Sequence, residues 1–169
     1  MPTDSSIFLF VSAAGTCMQV PELIRSMLAQ NFTVYSVLTP NVELVTAPAP
    51  LMEIEGNHWI HAYRQSPLER YPFGTLLVAP CTFNTLNKIA LGLADNLATA
   101  MIADGLGAGC RTIIAPSMNR GLWSHPQTKL SLERLQSWGC EIVPPQIDGE
   151  QVTMATIAEI VAVLLQKRS

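Results

Sequence analysis

Short apolar runs alternate with longer amphipathic stretches along the chain. The runs have the length of buried strands, and the stretches between them place apolar residues on one helical stripe, as Leu23, Ile24, Met27 and Leu28 do. This alternation is typical of βαβ units, in which helices cover both faces of a parallel sheet. It predicts a three-layer α/β fold of the Rossmann-like or flavodoxin-like kind.

The pattern also predicts where the elements lie. Strands are predicted at residues 7–12, 33–38, 75–79, 112–115 and 141–143, with a further extended segment near 58–63. Helices are predicted at residues 21–29, 84–106 with an interruption at Gly92 and Asp95, 125–138 and 153–167. Because 169 residues with 49% hydrophobic content can bury one core, a single domain over residues 1–169 is expected.

Charge and cysteine content exclude several classes of function. The formal net charge is -3, and the ten Lys and Arg residues are scattered, which leaves no basic patch for nucleic acid. The first residues lack a basic secretory start, and the apolar run at 7–14 is too short to span a bilayer, so a cytoplasmic protein without a membrane partner is expected. The four cysteines form no C-x-x-C pair, so neither a metal site nor a disulfide framework is expected.

Polar residues follow four of the predicted strands, where ligands bind in an open parallel sheet. The segments are residues 12–16, 39–41, 80–85 and 116–119, and three of the four are rich in small hydroxyl, amide and backbone donors. Such donors, together with helix N-termini, hold a phosphate without Lys or Arg, which predicts a phosphorylated ligand. The alternative is that Ser12, Thr82 and Thr85 only cap helices.

Two common nucleotide-binding motifs are absent from the sequence. No G-x-G-x-x-G follows the first predicted strand, and the chain has no G-x-x-x-x-G-K-[ST] segment. These absences count against NAD and ATP as ligands.

Two segments in the right order resemble motifs of one family. Pro80-Cys81-Thr82-Phe83-Asn84-Thr85 is similar to a Pro-Ala-Ser-Ala-Asn-Thr flavin motif, and residues 88–97 are similar to the helix and turn that follow it. Residues 116–123 resemble the substrate motif Pro-x-Met-Asn-x-x-Met-Trp, with Leu122 in place of the second Met. The chain thus resembles the homo-oligomeric flavin-containing cysteine decarboxylases, which include the phosphopantothenoylcysteine decarboxylases of coenzyme A biosynthesis. The Pro80-Cys81 pair also resembles flavin prenyltransferases, but Met118, Asn119 and Trp123 favour the decarboxylases.

This resemblance implies FMN at the sheet edge, with its ring system at the contact between subunits of a homotrimer. It assigns the phosphate to Ser12 and Thr39, and the flavin or its ribityl chain to Thr82, Asn84 and Thr85. The implied cofactor-binding set is Ser12, Ala13, Thr39, Pro80, Thr82, Asn84 and Thr85, and the implied substrate-binding residues are Met118 and Asn119.

The resembled enzymes oxidise a cysteine-derived thiol to a thioaldehyde and then lose carbon dioxide. They use a His near the flavin, an Asn that binds the substrate carboxylate and a flexible clamp containing Cys. Asn119 matches the Asn, but the family His falls on Ser66, whose hydroxyl is not a base near neutral pH without help, and His58 and His61 lie upstream. Only residues 146–151 lie between Pro145 and the terminal helix, and they contain no Cys.

Three functions fit this pattern. The first is an FMN-dependent decarboxylase-like enzyme acting on a small carboxylate or thiol substrate, with Asn119 and Ser66 as its candidate catalytic residues. The second is a non-catalytic FMN-binding oligomeric or regulatory subunit, since a fold can keep a cofactor after losing its chemistry. The third is a prenyl-transfer activity. Residues 94–109 carry few charges, which indicates either a self-association face or an ordinary buried helix.

Overall fold

A computed structural model describes residues 5–63, 65 and 68–166. The strands are β1 (Ser6–Val11), β2 (Thr33–Leu38), β3 (Asn57–Trp59), β4 (Thr75–Cys81), β5 (Arg111–Pro116), β6 (Met118–Asn119), β7 (Glu141–Ile142), β8 (Gln146–Asp148) and β9 (Gln151–Thr153). Six of them form a parallel sheet in the order β3-β2-β1-β4-β5-β7. The strand order reverses between β1 and β4, and such a switch point opens a crevice at the carboxyl ends of the strands.

Helices cover both faces of this sheet. They are α1 (Val20–Ala29), α2 (Pro48–Met52), α3 (Phe83–Leu91), α4 (Leu97–Gly107), α5 (Arg120–Trp123), α6 (Pro126–Ser137) and α7 (Ile157–Leu165). Ile7 and Leu9 of β1 pack in one core cluster with α1, α2 and α7, whereas Phe8 and Phe10 pack in a second with α3, α4 and α6. The predicted three-layer α/β fold is therefore confirmed.

The long predicted helix at 84–106 is two helices, as its interruption indicated. α3 ends at Gly92, which adopts φ 69° and so takes the left-handed conformation that favours glycine. α4 begins after Asn96, whose side chain accepts the Thr99 N–H while the Thr99 hydroxyl accepts the Asn96 N–H. α4 buries Ala98, Met101 and Ile102 in the core, so packing against its own chain explains why this helix carries few charges, without a self-association face.

The sequence prediction placed the start of the last helix too early and the extended segment after α2 too late. Helix α7 begins four residues after the predicted start at 153, because Thr156 caps it in a capping box with Glu159. Of the residues predicted as helix before that cap, Thr153 ends strand β9, and residues 154–155 belong to neither a helix nor a strand. The extended segment predicted at 58–63 is strand only over Asn57–Trp59, although the Ile60 N–H still bonds to Ser36 O.

A small antiparallel sheet, absent from the sequence prediction, adjoins the main sheet. Its strand order is β6-β9-β8, with Met118 opposite Val152 and Asn119 opposite Gln151. The β8–β9 turn contains Gly149 at φ 56°. Residues 146–151, predicted as a connecting segment, are thus folded against the segment that follows β5. None of the described helices combines the length and the hydropathy needed to cross a bilayer.

Candidate functional site

An open cleft of about 650 Å³ lies at the switch point of the main sheet. This volume is within the range of small-molecule and cofactor sites. The loops after β1, β2, β4 and β5 line the cleft, together with β9 and the connection from α3 to α4. Seven residues singled out from the sequence meet here: Ala13, Thr39, Thr82, Asn84, Thr85, Met118 and Asn119.

Ser12 and Pro80 lie behind the cleft wall. The Ser12 hydroxyl donates to Pro80 O at 2.6 Å and accepts the Thr82 N–H at 2.9 Å, and the side chain is buried. Ser12 therefore joins the loop after β1 to the start of α3. These two bonds use the hydrogen of the hydroxyl, which therefore has none left to donate to a phosphate in this arrangement, and the predicted phosphate contact of Ser12 stays a prediction. Ser66 lies outside the described residues.

The N-terminus of α3 faces the cleft. Thr82 caps the helix by accepting the Thr85 N–H at 3.3 Å, which confirms for Thr82 the capping role that the sequence left open. The N–H groups of Phe83 and Asn84 belong to the first turn and have no place in the intrahelical ladder. They add to the positive end of the helix dipole, which favours an anion. Across the cleft, no atom lies within 4 Å of the position that a Cβ of Gly15 would occupy, so a ligand can approach the backbone of the loop after β1.

Lys88 and Asp95 are the charged residues among the described residues that line the cleft. The Lys88 ammonium donates to both carboxylate oxygens of Asp95, at 2.9 and 2.7 Å. This hydrogen bond lowers the pKa of the Asp95 carboxyl from its ordinary value. The two charges neutralise each other, so the described part of the wall holds no uncompensated cation. Sequence reasoning missed this pair, because only the turn between α3 and α4 brings the two residues together.

Asn119 is held in a fixed orientation at the cleft mouth. Its side-chain oxygen accepts the Leu122 N–H at 2.9 Å and so caps α5, which leaves the amide NH₂ as the end that can donate to a ligand. Its backbone pairs with Gln151 in the small sheet, while the half-buried Met118 pairs with Val152. Gln151, Val152 and Thr153 form a wall that the sequence interpretation missed, because the hairpin was taken for a connecting segment.

No His or Cys is among the described cleft-lining residues. The His58 ring packs beside Tyr35, with ring centroids 5.1 Å apart, and the His61 ring packs beside Trp59 at 4.2 Å. His125 caps α6 by accepting the Gln127 N–H at 3.0 Å, which confirms its prediction as a helix-start residue. The Cys81 thiol is fully buried behind the cleft, and burial raises its pKa far above the ordinary value.

Comparison with known proteins identifies the family. The family model described as Flavoprotein matches residues 2–169. The chain belongs to the Flavoprotein family. The predicted resemblance to flavin-containing cysteine decarboxylases is thereby confirmed.

Curated relatives of this flavoprotein are longer than the chain. It is 25% identical over 168 residues to a coenzyme A biosynthesis bifunctional protein CoaBC of Thermococcus kodakarensis, covering 95% of the chain and 41% of the relative. It is 30% identical over 121 residues to a probable phosphopantothenoylcysteine decarboxylase of Arabidopsis thaliana, covering 72% of the chain and 53% of the relative. The chain thus spans about half or less of the length of these relatives.

Solved structures of similar proteins share the fold. A PPC decarboxylase mutant complexed with pantothenoylaminoethenethiol has a TM-score of 0.79 at 22% identity, over 94% of this chain and 95% of that chain. The peptidyl-cysteine decarboxylase EpiD has a TM-score of 0.78 at 23% identity, over 95% and 98%. The FMN binding protein AtHal3 has a TM-score of 0.78 at 22% identity, over 96% and 95%. These likenesses confirm the Rossmann-like architecture.

Proposed function

We propose that the cleft binds FMN and that this flavoprotein is a flavin-dependent, decarboxylase-like enzyme acting on a small thiol carboxylate. One observation carries the proposal: the N-terminus of α3 and the loops after β1 and β2 face one cleft whose only described charges, Lys88 and Asp95, cancel. Such a site holds an anionic phosphate through N–H dipoles and leaves the rest of the cleft free for an uncharged ring system. Bound FMN would supply a two-electron acceptor for thiol oxidation.

The residues present fit this cofactor. The phosphate is assigned to the open backbone of residues 13–15, to Thr39 and to the first turn of α3. The ribityl chain and ring are assigned to Thr82, Asn84 and Thr85, which the helix presents along one side of the cleft. Ser12 and Pro80 support these contacts from behind, since the Ser12 hydroxyl fixes the Thr82 N–H that begins the helix.

The substrate side of the cleft is assigned to Asn119. Because its oxygen caps α5, its NH₂ group can donate to the carboxylate of a substrate. Met118 and Leu122 line the cleft beside it and supply apolar contact for the rest of the molecule. Asn119 therefore selects a carboxylate by a hydrogen bond, without an opposite charge.

Self-association as a homotrimer belongs to the same proposal. Met18 and Leu44 lie on short 3-10 turns that adjoin the cleft, and their side chains are 62% and 85% exposed. Apolar side chains so exposed beside a binding cleft favour a second copy of the chain as the occupant of this surface. A partner copy could then complete the cleft.

A second candidate is a non-catalytic FMN-binding subunit. The described cleft-lining residues contain no His or Cys, and Lys88 and Asp95 already satisfy each other. A cleft without a free acid or base can retain a cofactor and yet lack the proton transfers of the decarboxylase reaction.

The two candidates differ in whether a thiol carboxylate reduces the bound flavin. We would mix the FMN-loaded protein anaerobically with N-acetylcysteine and follow the bleaching of the visible flavin band together with carbon dioxide release. N-acetylcysteamine, the same thiol without the carboxylate, is the matched control. If the protein is an enzyme, the flavin band should bleach with N-acetylcysteine and not with N-acetylcysteamine. Asn119→Asp should abolish this bleaching, because it keeps the oxygen that caps α5 but places a negative charge where the NH₂ group stood. Retained FMN without any bleaching would favour the non-catalytic subunit.

A further inference from the structure

The floor of the cleft is lined by buried hydroxyl groups. Its mouth carries exposed amide side chains, such as Asn84 and Asn119. The buried hydroxyl residues that line it are Thr16, Thr39, Thr85 and Ser117, with exposed fractions of 9%, 7%, 3% and 4%. A molecule that fills the cleft to its floor must therefore meet these hydroxyls.

Thr16 and Ser117 form a pair on this floor. Their hydroxyl oxygens lie 2.7 Å apart, and the two residues come from the loops after β1 and β5, which β4 separates in the sheet. Two hydroxyls in one hydrogen bond use one hydrogen and leave the other free. Within the part of the chain that the structure describes, neither hydroxyl makes a further side-chain hydrogen bond. One donor of the pair is thus left facing the open cleft, and a ligand that fills the cleft to its floor displaces the water there and must supply an acceptor in its place.

The pair is not needed to hold either loop in place. The Ser117 N–H donates to Cys81 O at 2.9 Å, which fixes the backbone after β5. Thr16 lies within the 3-10 turn Gly15–Gln19, which the Cys17 N–H closes onto Ala14 O at 2.9 Å. Because both backbones have their own anchors, the hydroxyls can serve recognition.

We infer that the Thr16–Ser117 hydroxyl pair is a ligand-recognition element that donates one hydrogen bond to a polar acceptor atom of the bound flavin. The inference rests on the proposed FMN site and deepens it. The flavin is the assigned ligand because it is the molecule proposed to fill the floor, whereas the substrate contacts lie at the mouth around Asn119. The mutual bond orients whichever hydroxyl donates, so the two residues act as one unit.

The test compares FMN dissociation constants by quenching of flavin fluorescence. Thr16→Val and Ser117→Ala each remove one hydroxyl and with it the mutual bond that orients the donor, so each variant should bind FMN about 3- to 10-fold more weakly. The dissociation constant of the double variant should be about the same as that of the single variant that binds FMN more weakly, because both changes act on one hydrogen bond. Thr16→Ser keeps the hydroxyl and should bind FMN as the unaltered protein does.

Thr112→Val is the matched control. Thr112 is a buried threonine at the opposite end of β5, where its hydroxyl donates to Cys110 O at 3.2 Å. It should lower the melting temperature without changing FMN affinity. Unchanged affinity in both floor variants, with only the loss of stability seen in the control, would overturn the inference while leaving FMN binding intact. Failure of the unaltered protein to bind FMN would overturn the proposed function itself and this inference with it. If one floor variant does not fold, the other decides.

Discussion

Ser12→Ala tests how the site is built, because the Ser12 hydroxyl joins two loops of the cleft. The hydroxyl donates to Pro80 O and accepts the Thr82 N–H, and the side chain is 1% exposed. The substitution removes both bonds without adding volume. Pro80 O keeps a partner, since the Ser12 backbone N–H donates to it at 3.2 Å. The Thr82 N–H loses its described acceptor.

The expected cost follows from that one orphaned donor. An unsatisfied buried donor costs about 1–3 kcal/mol. Because Thr82 is half-buried and borders the open cleft, water can reach it in part, and we expect about 1–2 kcal/mol. In a chain of this size, that loss lowers the melting temperature by roughly 2–8 °C.

Urea unfolding measures this cost directly. The midpoint should fall while the slope with denaturant stays unchanged, because the surface exposed on unfolding is the same. Ser137→Ala is the control, since the Ser137 hydroxyl bonds to Arg134 O at an exposed helix end and its loss should change stability by less than about 0.5 kcal/mol. An unchanged midpoint for Ser12→Ala would refute the claim that this hydroxyl holds the loops together.

Three further predictions address charge. Asn84→Asp should weaken FMN binding in a fluorescence titration, because it removes an amide donor and adds a negative charge near the phosphate. The same carboxylate lies at the positive end of α3, so the melting temperature should stay the same or rise slightly. Arg111→Leu should cost about 1–3 kcal/mol in urea unfolding. The Arg111 guanidinium donates to both Glu141 carboxylate oxygens, at 2.7 and 2.9 Å, and to carbonyls at the end of α7, but the partly exposed Glu141 carboxylate regains water when the partner is lost. The hydrogen bond from Lys88 lowers the pKa of the Asp95 carboxyl in the folded state. The stability that this ion pair contributes is therefore present above the unfolded pKa and is lost as the pH falls through the folded pKa. The difference in unfolding free energy between the unaltered protein and Asp95→Asn should shrink on acidification, and a constant difference would contradict this.

The main sheet could be predicted because its central strands can be recognised from their local sequence. β1 and β4 are buried along their whole length, so they read as unbroken apolar runs. The polar residues that follow them could be placed in one site, since parallel strands end at the same edge. Sequence alone could not show that the Ser12 side chain points away from the cleft, because its rotamer is set by the hydrogen bonds to Pro80 O and the Thr82 N–H.

The small sheet could not be predicted for a different reason. β8 and β9 have three residues each, and β6 has two, which is too short for a periodic pattern. Their pairing joins Met118 to Val152, a contact that only the folded chain creates. The Lys88–Asp95 and Thr16–Ser117 contacts arise in the same way, from turns and loops that bring distant positions together.

The central claim is that this cleft holds FMN. The most direct measurement is the visible absorption spectrum of the purified protein, followed by heat release of the chromophore and mass spectrometry. The account predicts a flavin spectrum and an equimolar amount of FMN. A colourless protein that cannot be reconstituted with FMN would contradict it.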